Sequence, residues 1–202
     1  MTLLEFAIQG GILMGILFVL SMISVALFIE RWIVTKKAMR FEEKTYIEIL
    51  RSIDRNNCAE AAKICKLSES PFIKTLEQGL SYADSDMHLA QETIEQSGGQ
   101  FIRGLEKHLN MISTISAVAP LLGFLGTVIG MIRVFMQLLE TNDVQALSGG
   151  ISYALITTVG GLVVGIGCIV FHNLLVSRIE TISFMAEEKV NSISQRIRRK
   201  TS

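Results

Sequence analysis

Three kinds of chemistry are scarce or missing in this chain of 202 residues. Cysteine occurs only at Cys58, Cys65 and Cys168, an odd number with no C-x-x-C pair. That usage argues against a disulfide framework and leaves reduced thiols as the expectation. The histidines, His88, His108 and His172, stand far apart, without the spacing of a metal site. Nineteen basic and nineteen acidic residues give a formal net charge of +0, which argues against a general nucleic-acid binder. The sequence holds no nucleophile–base pair, no phosphate-binding loop and no metal set. No enzymatic activity and no cofactor are therefore expected.

What the chain has instead is apolar surface. Half of its residues are hydrophobic and its mean hydropathy is +0.44, which places it in the membrane class. Residues 11–29 are apolar throughout and would span roughly 28 Å as a helix, about the hydrocarbon thickness of a bilayer. No Lys or Arg precedes Arg31 and residues 21–29 offer no good cleavage site, so this stretch reads as an uncleaved first transmembrane helix rather than a signal peptide. Trp32 suits an interfacial anchor.

Basic residues then set the orientation. Arg31, Lys36, Lys37 and Arg40 follow the first span, and Arg196, Arg198, Arg199 and Lys200 close the chain. The short loop at 140–149 carries Glu140 and Asp143 but no base. By the positive-inside rule the N-terminus lies outside and the C-terminus inside. The expected organisation is an external segment at 1–10, a first span at 11–33, and a cytoplasmic helical region at 34–110. A second span at 111–139, an external loop at 140–149, a third span at 150–176 and a helical cytoplasmic tail at 177–202 complete it. The fold class is all-α: three transmembrane helices extended by a cytoplasmic helical bundle.

In the polar region, Phe72, Leu76 and Leu80 keep a four-residue spacing, the mark of an amphipathic helix. Pro71 suits the first turn of that helix with Ser70 as its cap, and Ser85 or Asp86 suits the cap of the next. Ile94, Phe101, Leu105 and Leu109 run on into the second span. The pattern predicts one unbroken helix from about residue 86 to 139, with Gly98 and Gly99 as its weak point.

The stretch at 117–131 organises the rest. Small residues at Ala119, Gly123, Gly126, Thr127 and Gly130 fall on one helix face. The third span repeats the pattern with Ala154, Thr158, Gly161, Gly165 and Cys168. Smooth faces of this kind let membrane helices approach closely. Pro120 lies within the second span and predicts a kink. The interior of the three spans carries no Asp, Glu or Lys. Ion movement through a membrane usually needs such a group. Either the chain is a passive scaffold, or a partner helix supplies the carboxylate beside the hydroxyls of Thr127 and Thr158. A threonine that merely bonds its own helix is the plainer alternative.

The run Ser116-Ala117-Val118-Ala119-Pro120-Leu121-Leu122-Gly123-Phe124-Leu125-Gly126-Thr127-Val128-Ile129-Gly130 resembles the signature of the MotA/TolQ/ExbB proton-channel family. So does the run from Gly150 through Ser152, Tyr153, Thr157 and Thr158 to Leu162, and the three-span order resembles the ExbB/TolQ branch. The resemblance implies a homopentamer in a bacterial inner membrane, surrounding single-span helices of an ExbD/TolR-type partner whose membrane Asp carries the proton. It implies that protons are the coupling ion and that their passage does mechanical work, through TonB for outer-membrane transport or through TolA for envelope maintenance. Thr127 and Thr158 match the threonines that face the partner's Asp, and Pro120 and the glycines match the close-packing positions. Two positions depart from the pattern. Tyr153 stands where relatives usually have Glu, which removes an acid near the outer mouth and leaves the phenol as a substitute hydrogen-bonding group. Gly167 stands where they usually have Pro, which predicts a straighter third helix.

Overall fold

A computed structural model describes residues 11–141 and 144–199, and all of their regular structure is helical. Seven helices follow in order: α1 (Gly11–Ala38), α2 (Glu43–Asp54), α3 (Cys58–Leu67), α4 (Pro71–Tyr82), α5 (Met87–Glu106), α6 (Leu109–Thr141) and α7 (Val144–Arg199). Among the described residues three stretches are long and apolar enough to cross a membrane: Gly11–Ala38, Met87–Leu139 and Gly150–Arg199. The chain divides into two compact units. One comprises residues 1–30 and 108–174 and is apolar; the other comprises 31–107 and 175–202 and is polar.

The polar unit is built from amphipathic helices whose apolar positions recur at three and four residues. On α2 these are Tyr46, Ile49 and Ile53; on α4 they are Phe72, Leu76 and Leu80; on α5 they are Ala90, Ile94, Phe101 and Leu105; all are buried. Phe72 sits at the centre, edge-on to Phe41 at 5.3 Å and to Phe101 at 5.6 Å between ring centroids. The end of α7 closes the core with Ile179, Ile182 and Ile193. Lys189 on α7 lies 4.1 Å above the Tyr46 ring and pairs with Glu43 at 2.9 Å, so its stem is covered while its charge is met by a π face and a carboxylate. Arg196 pairs with Asp54 in the same way along α7. Arg178 stacks 3.7 Å above the Trp32 ring, so the tryptophan expected as an interfacial anchor also holds a guanidinium.

Helix caps divide as local chemistry dictates. Asn57 caps α3 by accepting from the Glu60 N–H at 3.1 Å, and Asp86, rather than Ser85, caps α5 by accepting from the Leu89 N–H at 3.0 Å. Ser70 precedes α4 in an extended conformation, but its hydroxyl makes no cap bond; Pro71 at the first helical position has no N–H to satisfy.

The unbroken helix expected over 86–139 is not formed. The Gly98–Gly99 pair stays helical, and Gly98 is used for packing: a Cβ built there would lie 3.1 Å from Val190 Cγ2. The helix breaks instead at Lys107–His108, where His108 takes a left-handed φ of 68°. A residue of that conformation ends α5, and its carbonyl then receives the first N–H groups of α6, from Met111 at 3.1 Å and Ile112 at 3.4 Å. His108 Nδ1 lies 3.2 Å from Glu30 Oε2, which ties the start of α6 to α1 within the apolar unit. At the other end the helices run further than expected: α6 reaches Thr141 and α7 begins at Val144, inside the stretch read as a loop at 140–149.

Cys58 and Cys65 share the buried face of α3. Burial, with a smaller contribution from the Glu77 charge, pushes the Cys65 thiol from its ordinary 9.0 up to about 12. At pH 8 its thiolate fraction should be about a thousandfold below that of an unperturbed thiol. Alkylation of intact protein should therefore spare Cys65 while unfolded chain reacts at once, as peptide mass mapping would show. Equal labelling of both would contradict the buried placement. A folded-state value above the unfolded one adds stability that is full below pH 9.0 and lost as the pH rises toward 12.

Candidate functional site

In the apolar unit, α6 and α7 pack antiparallel along their small residues. Ala119, Ala154 and Cys168 are buried, as are Gly123, Gly126, Gly130, Gly161 and Gly165. The approach is backbone on backbone at its centre. A Cβ on Gly161 would lie 2.6 Å from the Ala119 carbonyl oxygen and 2.9 Å from the Gly123 Cα; one on Gly123 would lie 3.1 Å from the Thr158 Cα. Toward one end a Cβ on Gly130 would lie 2.7 Å from the Ala154 Cβ. Toward the other, a Cβ on Gly165 would lie 2.6 Å from the Pro120 ring. α1 covers the seam: Leu13 reaches Gly126, Met14 and Leu17 reach Gly160, and Phe28 stacks on Phe171 at 4.3 Å.

Proline within the seam has a specific consequence. Pro120 has no N–H, so the Ser116 carbonyl loses its usual helical donor. That carbonyl oxygen lies 3.2 Å from where a Gly165 Cβ would stand. The glycine's bare Cα thus covers an oxygen that a larger residue would push away. The helix runs on through Pro120 without interruption.

The two predicted threonines occupy different chemical positions. Thr158, half-buried, donates its hydroxyl across the seam to the Gly123 carbonyl at 3.0 Å. Thr127, also half-buried, turns its hydroxyl back to the Phe124 carbonyl of its own helix at 2.7 Å. In a regular helix the Gly123 carbonyl also receives the Thr127 N–H, so both threonines converge on one peptide oxygen. The backbone of Tyr153 lies in α7, but its side chain lies outside the described residues. Gly167 has open space where a Cβ would stand, and α7 passes through it as helix.

Thr157 is a participant that spacing alone did not single out. It is buried, and its methyl and Cβ stand 2.5 and 2.9 Å from where a Gly126 Cβ would be. The signal was available: from Ala154, both Thr157 and Thr158 satisfy the helical repeat, and only tertiary packing separates them. Gly160, against Met14, is a second such position.

Outside this seam the three helices carry apolar side chains with no cover, among them Ile12, Leu121, Phe124, Val163 and Ile166. Exposed apolar faces of that extent on helices of bilayer length are surfaces for lipid or for other membrane helices.

The family model described as the MotA/TolQ/ExbB proton channel family matches residues 66–188, which includes the whole seam. The ExbB-like 3 biopolymer transport protein of Synechocystis sp. is 31% identical over 172 residues, covering 82% of this chain and 80% of that protein. An ExbB homolog of Methanothermobacter thermautotrophicus is 26% identical over 180 residues, covering 89% of this chain and 64% of that protein. The Tol-Pal system protein TolQ of Haemophilus influenzae is 34% identical over 83 residues, 40% of this chain and 36% of that protein.

Proposed function

We propose that this chain, which belongs to the MotA/TolQ/ExbB proton channel family and is a multi-pass membrane protein, is the ring-forming subunit of a proton-driven motor of the ExbB type. One observation carries the reading. The seam holds threonine hydroxyls at membrane depth, those of Thr127 and Thr158 among them, while residues 11–29, 111–132 and 150–176 supply no Asp, Glu or Lys. A proton pathway through such a bundle needs its carboxyl from elsewhere. A single-span partner of the ExbD/TolR type, with an Asp in its membrane helix, fits that requirement. Protons taken up and released by the partner's carboxyl beside Thr127 and Thr158 would then do work on a TonB-type protein. At about 2.3 kcal/mol per charge per 100 mV, each proton crossing supplies enough energy to drive a conformational step.

The assembly proposed is a homopentamer in a bacterial inner membrane, with its N-terminus periplasmic and its polar unit cytoplasmic. The distribution of basic residues supports that orientation. A TolQ-like role in envelope maintenance is the second reading, supported by the 34% identity to the TolQ protein of Haemophilus influenzae over 83 residues.

Native mass measurement of the purified protein tests the proposal, with and without a co-expressed single-span protein bearing a membrane Asp. The expected result is a ring that retains about two copies of that partner. A ring that never retains one would favour a passive scaffold and remove the motor reading.

A further inference from the structure

The bond between Thr158 and Gly123 has a consequence for which form of a carboxyl group the seam can accept. A threonine hydroxyl offers one donor and two lone pairs. Thr158 gives its donor to the Gly123 carbonyl at 3.0 Å, and Thr127 gives its own to the Phe124 carbonyl at 2.7 Å. Both distances are those of full hydrogen bonds. Both hydroxyls therefore present only lone pairs to a neighbour. A neutral carboxylic acid has an O–H to donate to them. A carboxylate has only acceptors and meets two further acceptors.

We propose that Thr158 is a proton-state selector: it accepts a hydrogen bond from a protonated partner carboxyl, and it can serve the ionised carboxylate only by releasing Gly123. This rests on the reading that a partner's membrane carboxyl reaches the seam. No proton passes onto the threonine. On ionisation the carboxyl's proton leaves to water, the Thr158 hydroxyl rotates toward the new negative charge, and the tie between α6 and α7 opens. Gly123 keeps the Thr127 N–H of its own helix as donor, so its carbonyl is not orphaned. Loss of one proton by the partner is thereby coupled to loss of one cross-helix bond in the ring subunit.

Among the described residues, the other ionisable groups of the same bundle are remote from this bond or engaged elsewhere. On α1, Glu30 lies against His108 at the head of α6. Arg133 on α6 lies about 15 Å along the helix from Gly123, and His172 on α7 lies about 21 Å from Thr158. Cys168, also on α7, is buried ten residues from Thr158, or about 15 Å. Tyr153 on α7 is the nearest phenol in sequence.

The sequence provides a direct probe. Gly123-Phe124 is the only Gly-Phe pair in the chain, so carbonyl-13C glycine combined with 15N phenylalanine selects the Gly123 carbonyl alone by NMR. The full-length ring is prepared with a co-expressed single-span partner carrying either its membrane Asp or the Asp→Asn replacement, and compared at about pH 6 and about pH 9. With the Asp partner bound, the Gly123 signal should move at high pH toward the position it takes in Thr158→Val. With the uncharged Asn partner it should not move. Thr158→Ser, which keeps the donor, should reproduce the wild-type response. An Asp partner that stays bound while the Gly123 signal ignores pH overturns the selector and leaves the motor reading intact. Failure of any Asp-bearing partner to bind overturns both.

Discussion

Gly161→Ala should destabilise the protein by about 1–3 kcal/mol despite the higher helix propensity of alanine. The reason is what the new methyl meets. At Gly161 it would stand 2.6 Å from the Ala119 carbonyl oxygen and 2.9–3.0 Å from backbone atoms of Gly123. None of these can swing aside as a side chain could, so α6 and α7 must separate. Separation loosens the Thr158–Gly123 bond and the packing of Gly126 on Thr157 together. Gly167→Ala is the matched control, because nothing lies within 4 Å of a Cβ there. It should be neutral, or stabilising by up to about 1 kcal/mol. For a chain of this size a destabilisation of that order lowers the melting temperature by about 2–4 °C per kcal/mol. Thermal unfolding in detergent reads the difference, and two variants that melt together would refute the backbone contact. Gly161→Leu should prevent a stable assembly altogether, visible as loss of the ring's native mass.

Thr158→Val should leave the ring assembled and lower proton-driven work by at least about tenfold, the rate equivalent of ~1.4 kcal/mol. Valine keeps the shape of threonine but removes the donor to Gly123 and the lone pairs facing outward. A hydrogen bond between membrane helices averages only about 0.6 kcal/mol, so folding should be little affected. The activity loss must then come from the hydroxyl itself. Thr158→Ser restores the oxygen and should recover most of the function. Uptake or envelope integrity in cells expressing each variant at equal level provides the comparison. Full activity in the valine variant would remove Thr158 from the proton path.

The seam was legible because its signal is periodic. Ala119, Gly123, Gly126 and Gly130 recur at helical spacing in an uncharged run, and all four are buried against α7. The amphipathic stripes of the polar unit were legible for the same reason, and Phe72, Leu76 and Leu80 form its centre. What periodicity cannot resolve is a choice between neighbours. Thr157 and Thr158 both fit the stripe, yet one packs on Gly126 and the other reaches Gly123. The break at His108 was hidden because Leu105 and Leu109 keep the four-residue rhythm across it. The usual marks of a left-handed residue, glycine or asparagine, are absent at that position. Lys189 was equally unreadable: its place between Tyr46 and Glu43 joins residues far apart in the chain.

The contact between α6 and α7 is made by the absence of side chains, and the genetic code bears on that. Every single-nucleotide missense change of a glycine codon installs a residue with a Cβ. At Gly161 each such allele therefore places an atom against the α6 backbone, and the gentlest available change is already a clash. At Gly167 the same alleles begin in open space. Two glycines on one helix thus face opposite mutational fates: at one every first step meets backbone, and at the other the first step meets nothing.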